Sequence, residues 1–424
     1  MPIAIAKQAK SQHILRMTQT EVAVVGGGAA GIGAARKLTD AGVPCLLLEA
    51  RDRLGGRAWT HNVAGYPLDL GCGWLHSADR NPLTKIAREQ GRRIDETPPP
   101  WQRICKQSGF PVEEQKLFRE AQQAFFERID EMAKERPEAP SSQALTPDGR
   151  WNALISAVTT YIAGAEPERV AMADFASYED SGVNWRVVEG YGTAIVAHAE
   201  GVRVELNTPV QRIDRSGTRL RLVTAKGEIT AAQVIVTLPS ALLAAHEEFF
   251  SPALPDKIEA ARALPLGLAD KLFIALEDAE EFESDSRMYG SPNRTATASY
   301  SMRPFGRPMI EVYFGGRHAE ALEIEGVPAF FEFAARELVD LMGESFRKRL
   351  KPIGMHRWAA DPLARGSYSY AVPGRSGARE ELAAAVEDRI FFAGEACSLD
   401  SFTTAHGAFL SGRKAADAIT ASRK

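Results

Sequence analysis

The chain has 424 residues, of which 45% are hydrophobic and 25% charged. This is the mix of a globular protein of two or three domains and excludes collagen-like or disordered chains. Lys and Arg number 51 against 55 Asp and Glu, a net charge of -4, so no basic excess exists to bind nucleic acid. The four cysteines (Cys45, Cys72, Cys105, Cys397) form neither a CxxC pair nor a His/Cys cluster, which excludes a disulfide scaffold or zinc site and predicts a cytoplasmic protein.

No apolar run is long enough for a membrane span. The first residues lack the continuous apolar region of a signal peptide, so residues 1–16 are expected to be an extension without a fold role. The fold is expected to begin with Glu21-Val-Ala-Val-Val25, a buried parallel strand. A small-residue helix follows from Ala29 to Asp40, stopped by Gly42 and Pro44, and then a strand Cys45–Leu48. Strand, glycine turn, helix, strand is a right-handed βαβ unit.

From about 80 to 180 the pattern turns helical, broken at Thr97–Pro100 and Pro137–Pro147. Alternating strands are expected at Val202–Leu206 and Leu220–Val223, a turn at Lys226-Gly227, and a buried strand at Val234–Pro239. Strands at Lys271–Leu276 and Met309–Phe314, a helix at Ala329–Leu341, a strand at Arg389–Ala393 and a final helix complete the chain. The expected fold class is α/β. A Rossmann-like FAD-binding domain is split over 17–78, 186–265 and 386–424, interleaved with an α+β substrate domain from 79–185 (mostly helical) and 266–385 (mixed sheet).

Gly26-Gly27-Gly28-Ala29-Ala30-Gly31 is a G-x-G-x-x-G run between a strand and a helix. Gly26 permits the turn, Gly28 lets a pyrophosphate approach the backbone, and Gly31 allows close packing. The helix N-terminus offers free N–H groups to phosphate. Glu49, 23 residues after Gly26 at the end of the second strand, suits ribose hydroxyls. Arg53-Leu54-Gly55-Gly56-Arg57 follows directly, so that Arg57 can reach phosphate or a flavin ring.

These motifs, with four others, resemble the FAD-dependent amine oxidases: monoamine oxidases, polyamine oxidases and lysine-specific demethylases. The others are Asp69-Leu70-Gly71-Cys72-Gly73-Trp74-Leu75-His76, Gly190-Tyr191-Gly192 with Asn207-Thr208-Pro209-Val210, Phe392-Ala393-Gly394-Glu395, and His406-Gly407-Ala408-Phe409-Leu410-Ser411-Gly412-Arg413. The resemblance runs from Glu21 to the C-terminus and is weak between about 95 and 180. It implies non-covalent FAD held by Gly26, Gly28, Ala29, Ala30, Gly31, Glu49, Ala50, Arg51, Gly56, Arg57, Gly73, Trp74, Val210, Trp358, Gly394, Glu395, Thr404, Ala405 and Ala408. It implies catalytic roles for Lys271, beside the flavin through a water, and for Tyr368, with His76, Tyr368, Tyr370 and Thr404 around the substrate.

In the last helix, small residues form two rows, Gly407/Ser411/Ala415 and Ala408/Gly412/Ala416, which lets it approach sheet and cofactor closely. Two positions depart from the monoamine oxidases. Ser367 stands where those proteins attach flavin to cysteine, and Thr404 stands where they place a second cage tyrosine, leaving the cage open on one side. No metal site is expected; His246-Glu247-Glu248 and the acidic run Glu277–Glu281 read as surface. The implied reaction is oxidation of a primary or secondary amine to an imine, hydrolysis to aldehyde or ketone, and reoxidation by O2 to give H2O2, in a monomer or homodimer. The rivals are an L-amino-acid oxidase or carotenoid-type desaturase, and a binding protein without turnover.

Overall fold

The computed structural model describes residues 18–105 and 110–423. The expected N-terminal extension and Met17 lie outside the described residues. Strands are numbered in chain order: β1 Thr18–Val25, β2 Cys45–Leu48, β3 Val204–Glu205, β4 Val210–Asp214, β5 Leu220–Thr224, β6 Gly227–Val236 and β7 Phe250–Ser251, then β8 Ala269–Leu276, β9 Ser286–Tyr289, β10 Ser299–Met302, β11 Met309–Gly315 and β12 Leu350–Met355, and last β13 Ile390–Phe392. The helices used below are α1 Ala29–Asp40, α2 Val112–Ala133, α3 Asn152–Ala163, α4 Val327–Met342 and α5 Ala405–Ala421.

An eight-stranded sheet has the order β7-β4-β5-β6-β1-β2-β3, with β13 added against β6. β1 runs parallel to β2 and β6, and β13 parallel to the last residues of β6. Both faces of this sheet are covered. Val22 and Val24 enter one apolar cluster while Ala23 and Val25 enter another, so β1 reads as a continuous apolar run. The strand expected over Val202–Leu206 is confined to two residues, whereas that at Val234 begins earlier, because Gly227–Ala231 pair antiparallel with β5 across the Lys226 turn.

A second, five-stranded sheet has the order β9-β10-β11-β8-β12. Leu272, Ile274 and Leu276 of β8 bury one face with Phe330 and Leu338 of α4. Lys271 and Phe273 therefore point to the opposite face. α2 and α3 lie in the expected helical stretch and share a core of Phe118, Phe125, Leu154 and Ile155.

The last helix packs differently from expectation. Its tightest approach is to α1 rather than to a strand: a Cβ at Gly412 would overlap the Ala30 carbonyl oxygen, and one at Gly33 would lie 2.8 Å from the Phe409 oxygen. The tie to the sheet runs through Ser411, whose Oγ accepts from Gly394 N at 2.9 Å at the end of β13.

Candidate active site

One cavity of about 990 Å³ extends from the end of β1 to the face of the second sheet opposite α4. Its inner end is built largely from backbone. Gly26 adopts φ 107° and donates its N–H to Leu48 O at 2.8 Å, turning the chain out of β1. Ala29 and Ala30, whose N–H groups have no intrahelical partner, line the cavity. Gly31 does not line it; a Cβ there would overlap the Gly26 carbonyl oxygen, so its role is packing. A Cβ on Gly28 would meet nothing nearer than 4.0 Å, and one on Gly394, at φ 146°, nothing within 4 Å. Both would project into a space that a pyrophosphate fills, so the cradle fits FAD.

Glu49 is buried and accepts N–H bonds from Gly27 at 2.6 Å and Arg51 at 2.7 Å, while keeping lone pairs on the cavity side. Thr208 N donates to Glu49 O and Asn207 N to Arg51 O, which pins the start of β4, and hence Val210, beside that acid. Arg57 donates to Ser367 O at 2.6 Å and to Glu395 at 3.1 Å. Burial would raise the Glu395 carboxyl, but Arg57, Arg379 and Ser369 outweigh it and hold the group below its ordinary value. Ala50, Arg51, Gly56, Gly73, Trp74, Trp358, Gly394, Thr404, Ala405 and Ala408 also line the cavity.

The Ser367 hydroxyl is engaged with both polar backbone groups of Ala269, at 2.9 and 2.8 Å. The only cysteine thiol on the cavity wall among the described residues besides Cys105 is Cys72, which burial and then Asp69 push up to about 12. It is a protonated, inert thiol.

Lys271 lies where cofactor and substrate ends meet. Its Nζ donates to Asp69 O at 3.2 Å, pairs with Glu311 at 3.3 Å and would lie 3.1 Å from a Cβ on Gly73. Burial would lower the ammonium, yet Glu311, Tyr313 and Asp69 reverse that, so Lys271 stays charged. Asp69 holds two of the motifs together by accepting from Tyr191 N at 3.0 Å and Gly192 N at 3.3 Å. Trp358 donates its indole N–H to Leu70 O at 3.0 Å.

Behind Trp358 lies an acid pair. Asp270 is fully buried beside Glu323; its Oδ1 accepts from Trp358 N at 3.3 Å, and its Oδ2 has no hydrogen-bond partner among the described residues. Glu323 accepts from Ala359 N and Ala360 N, both at 2.9 Å. Burial and the Glu323 charge push the Asp270 carboxyl well above its ordinary value, so Asp270 carries the proton of the pair.

The substrate end is aromatic. Tyr368 donates to Tyr161 O and stands 3.4 Å from the Tyr313 hydroxyl; the Tyr161 and Tyr313 rings meet edge-on at 6.0 Å. Burial raises all three phenols, which stay neutral. His76 bonds Asn184 through Nδ1 at 2.6 Å, and burial lowers its imidazole. Two expected substrate residues are placed otherwise. Tyr370 is not on the cavity wall: it packs with Ala163, Ala165 and Val170 and takes a bond from Arg169, because the strand ends at Ser369 and the alternation that would have put Tyr370 on the face of Tyr368 does not reach it. Thr404 is on the wall, but its hydroxyl caps α5 by accepting from Gly407 N at 3.0 Å and donates to Ser401 O. Sequence reasoning missed Tyr161, Tyr313, Glu311 and Arg287, all on the wall. A charge inside the apolar run Met309–Phe314 was the signal that would have found Glu311.

No group of His, Cys, Asp and Glu among the described residues could hold a metal, and no helix there is long and apolar enough to cross a membrane. A family model described as flavin containing amine oxidoreductase matches residues 29–420. Polyamine oxidase 4 of Oryza sativa subsp. japonica is 28% identical over 437 residues, covering 93% of this chain and 88% of its own. Lysine-specific histone demethylase 2 of Homo sapiens is 27% identical over 453 residues, covering 94% of this chain and 53% of its own. A solved structure of a putrescine oxidase double mutant superimposes with a TM-score of 0.78 at 19% identity, covering 96% of this chain and all of that one, and shares the fold.

Proposed function

The chain belongs to the flavin-containing amine oxidoreductases and is an FAD-dependent amine oxidase; we propose that its amine is held between Lys271 and the wall formed by Tyr161, Tyr313 and Tyr368. We also propose O2 as the final acceptor, giving H2O2, hydrolysis of the imine to aldehyde or ketone, a cytoplasmic location, and a monomer or homodimer. The split FAD domain and interleaved substrate domain described above form part of the same proposal. The observation that carries the reading is the single cavity that joins the glycine cradle to Lys271 and the tyrosine wall.

FAD, when bound, supplies the two-electron acceptor for the carbon beside the amine nitrogen. The protein's residues bind, orient and exclude water. Gly28, Ala29, Ala30 and Gly394 would present backbone to the pyrophosphate, Glu49 would take ribose hydroxyls, Val210 would border the adenine, and Arg57, Gly73, Trp74 and Trp358 would hold the ring. Neutral tyrosines exclude water and hold the amine close to the ring. Lys271, kept charged by Glu311, would hold a water and place positive charge where anionic character develops. His76, neutral and oriented by Asn184, offers its second nitrogen as acceptor to the substrate nitrogen.

Names among the relatives include polyamine and putrescine oxidases, which supports an aliphatic amine as the reacting part. Anaerobic mixing of the yellow protein with aliphatic amines tests the reading: bleaching of the flavin band, then peroxide on admitting O2, is the expected result. An amino-acid oxidase or desaturase would leave the band unbleached by every simple amine.

A further inference from the structure

The cavity floor is the face of the second sheet opposite α4, and its register orders the charges on it. Opposite residues of antiparallel strands share a face. One row across β8, β11, β10 and β9 reads Lys271, Tyr313, Ser299, Tyr289; the next reads Phe273, Glu311, Ser301, Arg287. All of these except Phe273 line the cavity. Positive charge thus stands at both ends of the floor, with one carboxylate between.

That carboxylate is committed, since Glu311 lies 3.3 Å from Lys271. Arg287 is not neutralised. Its Nε donates to Ser299 Oγ at 2.8 Å and its guanidinium stacks 4.5 Å from the Tyr289 ring centre. Among the described residues no carboxylate lies within 4.0 Å of its guanidinium nitrogens. A guanidinium has five N–H donors, so several remain for a ligand. The other carboxylates on the cavity wall stand elsewhere: Asp174 is held by Arg379 at 2.7 Å, Asp180 lies by Ser77 and His76, and Asp130 is solvent-exposed on α2. A second ammonium at this end would meet a cation.

We infer that the substrate is an amine carrying a carboxylate-class anion several bonds from the reacting nitrogen, and that Arg287, with Ser299 and Ser301 beside it, binds that anion. The inference rests on the placement of the amine at Lys271. Three inter-strand spacings of about 4.8 Å, or roughly 14 Å, separate the backbones of β8 and β9. The Lys271 and Arg287 side chains shorten that span, but an α-amino acid, with its charges two bonds apart, cannot bridge what is left. An ω-amino carboxylate can.

The test uses FAD-loaded protein and three matched probes, n-hexylamine, ε-aminocaproate and hexamethylenediamine. In the wild type, ε-aminocaproate is expected to show the highest kcat/KM. Arg287→Gln should lower that value about 10- to 100-fold, the loss of a charged hydrogen-bonding partner, and leave n-hexylamine nearly unchanged. Arg287→Lys, which keeps the charge but not the fork, should fall between. A preference for hexamethylenediamine, or an equal loss for all three probes in Arg287→Gln, would overturn the inference. If no probe bleaches the flavin, the oxidation reading fails by itself, and hexanoate then decides the anion site: perturbation of the flavin band that disappears in Arg287→Gln upholds it, and equal response in both proteins overturns it.

Discussion

The two ends of the cavity are made of different material. At the cofactor end the wall is backbone: a positive-φ glycine, free helix N–H groups, and a glycine whose missing Cβ leaves room for a ligand. At the substrate end it is side chains from distant segments, with Tyr161 on α3, Tyr313 on β11, Tyr368 paired with Gly267 and Arg287 on β9. A backbone wall tolerates almost no substitution at its closest contacts, whereas a side-chain wall changes chemistry and leaves the fold standing.

The sharpest way to break this contrast is Gly31→Val. Its Cβ would collide with the Gly26 backbone, so it is expected to cost more than about 3 kcal/mol and to leave little folded, FAD-loaded protein, as read by thermal melts and flavin content. Gly28→Val should keep the circular dichroism spectrum but lose FAD, since its side chain enters open cavity. If both behave alike, the cradle is not distinct from the packing.

On the side-chain wall, Lys271→Met keeps stem volume and should keep the fold. Rapid mixing should show a loss of about 10- to 1000-fold in a half-reaction, with reoxidation by O2 suffering more than reduction by amine. Wild-type rates in both would make Lys271 structural.

His406 precedes Gly407 at the start of α5, and burial, then His76, push its imidazole down to about 4 from an ordinary 6.5. Below pH 6.5 the unfolded chain takes up a proton that the fold refuses. The stability present above that pH is therefore lost as pH falls towards 4, on the order of 2 kcal/mol. Melting temperature against pH should be flatter in His406→Gln; an unchanged slope would assign the acid loss elsewhere, for example to His318.

The smallest effect is expected at Asp270. Its carboxyl is protonated in the fold and ionised in the unfolded chain above the ordinary 3.8, so stability is full at acid pH and declines as pH rises. Asp270→Asn can still donate to Glu323. At acid pH it should change stability by less than about 1 kcal/mol, and it should lack the wild type's decline as pH rises. An infrared band of a protonated carboxylic acid, present in the wild type and absent in Asp270→Asn, checks the proton directly.

The same contrast explains what could be read from the chain. Gly26, Gly28, Glu49 and Arg57 fall within some thirty residues and impose local geometry, so pattern alone places them. Lys271 was visible because a charge in an apolar strand is costly unless paired; Glu311 carried the same mark and is its partner. Tyr161 and Arg287 sit in ordinary amphipathic surroundings; strand register puts Arg287 on the floor, and the packing of α3 over that sheet brings Tyr161 to Tyr313. Tyr370 shows the converse error. It shares a motif with Tyr368, but its hydroxyl bonds Arg169 away from the cavity.

The close contact of α1 with α5 has a consequence for biosynthesis. The loop that cradles the cofactor leaves the ribosome long before the wall that completes the site, Gly394 to Ala408. From Ala29 to Ala405 is 376 residues (405 − 29), which at roughly 5–20 residues per second takes about 20–75 s. Throughout that interval β1 lacks β6 for most of the time and α1 has no α5 against it, leaving the small-residue face of α1 open to chaperones. Cofactor loading thus waits for the synthesis of Gly394 to Ala408, and a nascent chain arrested before Gly394 would be colourless.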